Sequence, residues 1–326
     1  LRMKKLLLPI LQLGVTAYIL IRLFGDEALR ANAERVLAEA DWRWIAGAVL
    51  AAAASELLCA TRWWIVLRAF GMPLRWREAV AFSAVGLFYS LGLPGSAGGD
   101  AMRTLYVIGR YPDKKLAAAL SVLADRFCGL AALVPALGWT LAVNHGLFLE
   151  GRFASGIVIA SVVFLSGALL GLALWWSTTI PALGKRVEAR MSRFGIHLRQ
   201  SGEIFQRMIA QPVAMLMGVG LSAASLAAHF LGYWLSACAF GTGLGAGTIY
   251  SIMPVVDTLT MIPIALYGLG LREALFTALL GEFYGVPAGT ATLVSLGGFT
   301  AQAAVALAGI LFLPFVKFVR LGRRWD

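Results

Sequence analysis

Two short motifs combine helix-breaking residues with an arginine inside strongly apolar sequence. The first, PGSAGGDAMR, runs from Pro94 to Arg103, and the second, PIALYGLGLR, runs from Pro263 to Arg272. Both have a glycine five residues after the proline, and the second copy lies 169 residues after the first. A broken helix exposes backbone N–H groups at the positive end of the helix dipole, and an arginine adds bidentate donors. This combination favours binding of an anionic group such as a phosphate or a carboxylate.

Acidic residues accompany both arginines. Gly98 and Gly99 are predicted to end one half-helix, and Asp100 lies where the next helix would begin. Two interpretations stay open: Asp100 caps that helix and Arg103 meets the ligand, or the two charges neutralise each other. Glu273 directly follows the second motif and has no counterpart in the first. The motifs therefore predict a symmetric pair of arginines with acids that differ.

Asp125 and Arg126 lie ten residues into another apolar segment. A charge inside a membrane costs roughly 2.5–3.5 kcal/mol on insertion scales, so it is a functional candidate by default. Neighbouring helix positions point about 100° apart, which makes these two poor partners for each other. A purely structural ion pair between helices is the alternative. Each is expected to pair with a charge from the two motifs: Asp125 with Arg103 or Arg272, and Arg126 with Asp100 or Glu273.

The composition indicates a membrane protein, because 60% of the residues are hydrophobic and the mean hydropathy is +0.79. Soluble globular proteins have roughly 45–50% apolar residues. The excess of 28 Lys and Arg over 17 Asp and Glu is assigned to membrane topology, so no nucleic-acid partner is expected. Three scattered histidines and three cysteines in apolar segments predict neither a metal site nor a cofactor. No catalytic residue is assigned, because common nucleotide-binding and hydrolase motifs are missing from the sequence.

Six apolar runs are predicted to span the membrane as helices. They are Leu6–Ile21, Trp44–Leu67, Leu116–Val143, Gly156–Trp176, Pro212–Ala237 and Thr290–Phe315. Two further apolar regions, Ala79–Ile108 and Thr248–Leu280, are interrupted by the two motifs. The fold class is therefore an all-α polytopic membrane protein.

The positive charges decide how the interrupted regions are placed. Five basic clusters hold 21 of the 28 Lys and Arg, at residues 2–5, 62–77, 103–115, 185–207 and 317–324. All five can be cytoplasmic only if each interrupted region enters and leaves the membrane on one side. We therefore predict two re-entrant helical hairpins that point into the membrane from opposite faces. Both termini are then cytoplasmic, and the protein is assigned to the bacterial inner (cytoplasmic) membrane.

The two motifs belong to a longer internal repeat within one membrane domain, residues 1–326. The segment from Trp64 to Leu74 matches the segment from Trp234 to Leu244 at a shift of 170 residues. Residues 44–143 and 212–315 are the predicted halves, and an odd number of crossings between them makes the repeat inverted. The linker 182–210 is basic and amphipathic, and we expect it to lie on the anionic inner leaflet.

Four motifs follow one another in a recognisable order. They are Arg62-Trp63, LPGSAGGDAMR from Leu93, SVLADRFCGL from Ser121 and PIALYGLGLRE from Pro263. Together they resemble the transmembrane region of lysylphosphatidylglycerol synthases, a flippase-like membrane family that also occurs as stand-alone proteins. The resemblance covers nearly the whole chain. Tyr267 stands where the family usually has a glycine, which narrows the turn before Arg272.

The resemblance implies lipid handling rather than aminoacylation. We expect a stand-alone member without the soluble lysine-transferring domain of the full-length synthases. The predicted function is translocation of an anionic or polyprenyl-phosphate-linked lipid between leaflets, through a polar cavity at the hairpins. A membrane enzyme, or an accessory subunit that recruits a soluble enzyme, is the alternative, and a homo-oligomer is left open. The candidate substrate-binding residues match the family motifs: Gly98, Gly99, Asp100, Arg103, Asp125, Arg126, Arg272 and Glu273.

Overall fold

The computed structural model describes residues 27–92, 97–144, 154–177, 211–261 and 268–316. Among these residues every regular element is helical and no strand is present. The α-helices are α1 (Glu27–Ala38), α2 (Trp42–Ala69), α3 (Trp76–Gly92), α4 (Ala97–Arg110), α5 (Lys115–Val143), α6 (Ala154–Ser177), α7 (Pro212–Ala239), α8 (Ala246–Thr260), α9 (Leu271–Tyr284) and α10 (Ala288–Ala308). Short 3-10 helices precede α5 (Pro112–Lys114) and follow α10 (Gly309–Phe315).

Four helices are long and apolar enough to cross a membrane: α2, α5, α7 and α10, the last extended by its 3-10 helix. Each reaches at least 28 residues, or about 42 Å of helix, against a hydrocarbon core about 30 Å thick. They coincide with four of the predicted spans, and α6 contains a fifth, Gly156–Trp176. The predicted span Leu6–Ile21 and the linker 182–210 lie outside the described residues. The prediction of an all-helical membrane protein is confirmed.

Helices α2 and α7 form the most extensive helix contact and run antiparallel. At one end, the backbone N–H of Asp41 donates to the carbonyl of Ala239 over 3.0 Å, so the start of α2 meets the end of α7. At the other end, Gln211 Nε2 donates to the carbonyl of Ala69 over 3.4 Å. The two ends of the helix pair are thus distinct reference points for the rest of the fold.

Near the middle of this helix pair, Ser55 and Ser225 hydrogen-bond to each other reciprocally. Ser55 Oγ donates to the Ser225 carbonyl over 3.0 Å, and Ser225 Oγ donates to the Ser55 carbonyl over 3.3 Å. The residues are 170 positions apart, which is the shift of the sequence repeat. Reciprocal bonds between equivalent residues are the contacts expected where a two-fold axis passes.

The C-terminal ends of α2 and α7 are built alike. Trp64 Nε1 donates to the carbonyl of Leu74 over 2.9 Å, and Trp234 Nε1 donates to the carbonyl of Leu244 over 3.1 Å. Each helix is followed by a glycine in the left-handed region, with φ of 73° and 64°. The repeated sequence therefore corresponds to repeated local structure, with the same tryptophan anchoring the same turn.

Two pairs of short helices follow these turns, α3 with α4 and α8 with α9. Their lengths of 17, 14, 15 and 14 residues correspond to about 21–26 Å, less than the hydrocarbon thickness. The α3–α4 pair starts and ends beside the end of α2, whereas the α8–α9 pair starts and ends beside the end of α7. Because α2 and α7 are antiparallel, the two helix pairs enter the bundle from opposite ends.

Each helix pair packs against the last long helix of the other half. Helix α3 contacts α10 and its 3-10 extension, and α8 contacts α5. In the first pair, α3 and α4 approach closely at Gly86 and Gly99, where a Cβ on Gly99 would collide with Ser90 Oγ and the Gly86 carbonyl. Helix α4 begins at Ala97, so the glycines lie inside its first turn and do not end the preceding half-helix as predicted. Their role is to permit this close helix contact.

We expect Gly99→Ala to destabilise the protein by about 1–3 kcal/mol, because the added methyl group overpacks the α3–α4 contact. Gly138→Ala is the matched control, since a Cβ there meets nothing within 4 Å inside helix α5. This control should be neutral or stabilising by up to about 1 kcal/mol. Thermal unfolding in detergent, followed by tryptophan fluorescence, measures both. Equal melting temperatures for the two variants would contradict the close-packing account.

Candidate functional site

Five charged side chains from α2, α4 and α5 form a connected group inside the bundle, here called the arginine cluster. Its members are Arg62, Asp100, Arg103, Asp125 and Arg126. Helix periodicity explains the grouping, because α4 and α5 present Arg103 and Asp125 from facing surfaces near the end of the bundle where they are joined. Four of the eight predicted site residues are therefore brought together.

Asp125 lies at the centre of the cluster and is only 2% exposed. Its Oδ1 accepts from Arg62 Nε over 2.7 Å, and its Oδ2 accepts from Arg103 Nη2 over 2.9 Å. Of the two partners that the sequence left open for Asp125, the structure has Arg103. A buried carboxylate shared by two guanidinium groups is held in one orientation by charge-assisted hydrogen bonds.

Arg62 was missed by the sequence analysis, which placed it in a cytoplasmic surface cluster. It is 8% exposed, and its Nη1 donates to Ser222 Oγ on α7 over 2.9 Å. The placement was wrong because α2 continues for seven residues after Arg62, about 10 Å, before it reaches its end at Ala69. The signal that identifies it is a charge inside an apolar helix rather than beyond one.

Asp100 and Arg126 form the outer part of the cluster. Arg126 donates to Asp100 Oδ2 from Nε over 2.9 Å and from Nη2 over 2.8 Å. Their side chains are 23% and 44% exposed, far more than Asp125. Asp100 is therefore paired with Arg126, and Arg103 is not neutralised by its neighbour on α4.

Arg103 is positioned by an aromatic ring as well as by Asp125. Its guanidinium lies 4.4 Å from the ring centroid of Trp63, a cation–π distance. Trp63 is fully buried and donates from Nε1 to Ser121 Oγ over 3.3 Å. Arg103 Nε is buried and makes no hydrogen bond to any residue that the structure describes. This N–H is a donor that an incoming anionic group would satisfy.

The cluster carries a charge imbalance at a defined depth. Its three arginines face two aspartates, so one positive charge is in excess. Asp125 lies ten residues from the start of α5 and Arg103 seven residues from the end of α4, about 15 Å and 10 Å of helix. An uncompensated positive charge at this depth attracts an anion strongly, because water screens it less than at the surface.

Arg272 forms a second positive centre in the other half. It is 7% exposed, and its guanidinium lies 5.6 Å from the Phe299 ring and 6.0 Å from the Tyr233 ring. Tyr233 is 170 residues after Trp63, so each repeated arginine lies near the aromatic residue at the same repeat position. Arg272 lies about 18 Å of helix from the end of α9, which is at the opposite end of the bundle from the first centre.

Glu273 holds the turn that carries Arg272. It is fully buried, its Oε2 accepts from the backbone N–H of Gly270, and its Oε1 accepts from Ser295 Oγ over 2.8 Å. Gly270 has a φ of 85°, a conformation that side chains rarely adopt, and it directly precedes α9. Both carboxylate oxygens are thus engaged within the turn. Glu273 is an N-terminal cap of α9 and is not the partner of Arg126.

Four further polar side chains lie between the two arginine centres: Glu56, His229, Asp257 and Gln302. His229 Nε2 lies 3.3 Å from Asp257 Oδ1, and its Nδ1 lies 3.1 Å from Gln302 Nε2. Gln302 Nε2 also donates to the Tyr233 hydroxyl over 3.3 Å. The sequence analysis did not select these residues for the site, because isolated polar residues on separate helices have no common motif. Across the described residues, no group of three His, Cys, Asp or Glu could hold a metal ion.

Comparison with known proteins gives one match. Neither the curated proteins nor the solved structures contain a protein that matches the chain. The sequence profile described as "Lysylphosphatidylglycerol synthase TM region" matches residues 10–313, which include both arginine centres and all the described helices. The chain is an integral membrane protein and belongs to the lysylphosphatidylglycerol synthase transmembrane-region family.

Proposed function

We propose that this protein translocates a lipid with an anionic head group between the leaflets of the membrane. Phospholipids and polyprenyl-phosphate-linked lipids share the required chemistry, a phosphate on an apolar tail. One observation carries the proposal: Arg103 and Arg272 lie inside the membrane protein on short paired helices that enter from opposite ends. Intramembrane charges mark substrate pathways in transport proteins.

In this proposal the two halves form an inverted repeat, and the α3–α4 and α8–α9 pairs are re-entrant hairpins. The reciprocal bonds between Ser55 and Ser225 support it, as do the matching tryptophan anchors of α2 and α7. Transporters of this kind bind substrate near the midplane, where broken helices from the two repeats meet. The end of the bundle with Arg75, Arg77 and Lys114 faces the cytoplasm, following the positive-inside rule.

The arginines would act in sequence on one head group. A lipid phosphate enters from the leaflet nearer the arginine cluster and is bound by Arg103, whose Nε completes its hydrogen bonding to the anion. The tails stay in the bilayer throughout, so only the head group crosses the low-dielectric interior. Movement of one half relative to the other then exposes the head group to Arg272 and the opposite leaflet.

The arrangement of the carboxylates favours this proposal over an enzyme. General acid–base catalysis needs a carboxyl group that can reach the substrate with a free oxygen. Asp125 is bonded to two arginines, Asp100 to Arg126, and Glu273 to Gly270 and Ser295. We therefore assign the acids a positioning role: they hold the arginines and the α9 turn, while Gly98 and Gly99 allow the helix contact that places Arg103.

Translocation in proteoliposomes tests the proposal. The purified chain is reconstituted with trace fluorescent phosphatidylglycerol or fluorescent phosphatidylcholine, and dithionite reduces the probe that reaches the outer leaflet. We expect phosphatidylglycerol to become fully accessible and phosphatidylcholine to react only in the outer leaflet, because the zwitterion lacks net negative charge. If both probes behave as in protein-free liposomes, and a fluorescent polyprenyl phosphate does too, the proposal is wrong.

A further inference from the structure

Glu56 is an acidic residue deep in the bundle that the ion-pair network does not use. It lies near the middle of α2, about 20 Å of helix from either end. None of the ion pairs between described residues involves it. The charged and titratable groups that face it come from four helices: Cys59 and Arg62 on α2, Arg103 on α4, Arg126 on α5 and His229 on α7.

The charge of Glu56 decides the balance of the arginine cluster. The cluster has three arginines and two aspartates, so it carries one excess positive charge when Glu56 is protonated. With Glu56 ionised, the six groups sum to zero. A single proton on this side chain therefore changes the cluster from neutral to positive, and the positive form is the one that binds a phosphodiester anion more tightly.

His229 faces Glu56 across the α2–α7 contact and extends the polar path into the other half. Asp257 on α8 and Gln302 on α10 contact its two ring nitrogens. Since Gln302 also donates to Tyr233, which lies near Arg272, polar groups follow one another from the first arginine centre towards the second. The histidine is the side chain on this path whose ordinary titration range is close to neutral pH.

We infer that Glu56, together with His229, forms a proton-binding site that is linked to anion binding at the arginine cluster. The inference rests on the proposed function and adds its coupling: a proton and an anionic head group bind together, and each raises the affinity for the other. Linkage is reciprocal, so the same coupling acts in both directions. A head group bound with a proton also crosses the interior at lower electrostatic cost, since the added charges cancel.

Calorimetric titration with short-chain lipid tests this linkage. Dioctanoyl phosphatidylglycerol, whose phosphodiester stays ionised throughout, is titrated into the detergent-solubilised protein in two buffers of different ionisation enthalpy. We expect uptake of up to one proton per lipid bound by the wild-type protein, and affinity that falls by up to about tenfold per pH unit as Glu56 ionises. Glu56→Gln should bind with little proton uptake and little pH dependence. Glu56→Asp, which keeps a carboxyl group, should retain uptake.

Glu282→Gln is the matched control, because Glu282 is exposed on α9 and should leave proton uptake unchanged. Binding without proton uptake by the wild-type protein overturns the inference and leaves the proposed function standing. Equal uptake by wild type and Glu56→Gln does the same. Absence of binding for both phosphatidylglycerol and a second probe, geranyl phosphate, overturns the proposed function and the linkage together.

Discussion

Asp125→Asn is expected to lower the free energy of unfolding by about 3–5 kcal/mol. The substitution keeps the size of the side chain but removes the charge that Arg62 and Arg103 share, with N···O distances of 2.7 Å and 2.9 Å. Two buried guanidinium groups then lack their common counter-ion, and removal of one partner from a buried ion pair is strongly destabilising. Thermal unfolding in detergent measures the effect. The variant should melt well below the wild-type protein.

The matched control is Asp113→Asn, since Asp113 is an exposed aspartate in the short helix before α5. Its loss should change stability by less than about 0.5 kcal/mol. The double variant Asp125→Asn with Arg62→Met should recover part of the loss, because one uncompensated charge is removed with it. Strictly additive effects of the two substitutions would show that the buried ion pair does not couple these residues.

Neutralising either arginine centre is expected to reduce lipid translocation at least tenfold. Arg103→Gln and Arg272→Gln each leave one side of the pathway without its positive charge, and one good charged hydrogen bond is worth about 1.5–3 kcal/mol. The two effects should be similar, because the residues occupy equivalent positions of the repeat. The proteoliposome assay measures the rate, and Arg103→Lys should retain only part of it because lysine lacks the planar fork.

Arg110→Gln serves as the control for both variants, because Arg110 is exposed at the end of α4, two turns from Arg103. Its translocation rate should match that of the wild-type protein. Melting temperatures for every variant separate loss of function from loss of fold. Wild-type rates for both Arg103→Gln and Arg272→Gln, in folded protein, would show that the arginines do not guide the head group.

The long helices could be predicted from the sequence because membrane-spanning segments need long apolar runs and little else. The pairing of Asp125 with Arg103 and of Arg126 with Asp100 was within reach for a related reason. Charges inside apolar sequence have few partners to choose from, so listing opposite charges in nearby motifs includes the correct pairs. Which alternative holds required the packing of α4 against α5.

Other features could not be predicted, because they depend on close contacts between distant residues. The start of α4 at Ala97 depends on how its glycines pack against α3. The burial of Arg62 depends on where α2 ends and on Ser222 in the other half of the chain. Glu273 was expected in the binding site, but its capping of α9 follows from the left-handed turn at Gly270, which a linear pattern does not reveal.

An anionic lipid bound at the arginine cluster is the central requirement of this mechanism, and lipid retention tests it most directly. Mass spectrometry would compare the lipids that co-purify with the wild-type protein, Arg103→Gln and Arg110→Gln against those of the source membrane. We expect one anionic phospholipid or polyprenyl-phosphate class to be enriched by the wild type and Arg110→Gln, and lost in folded Arg103→Gln. Retention of the same lipids by all three proteins, or no enrichment by the wild type, would contradict a head-group site at Arg103.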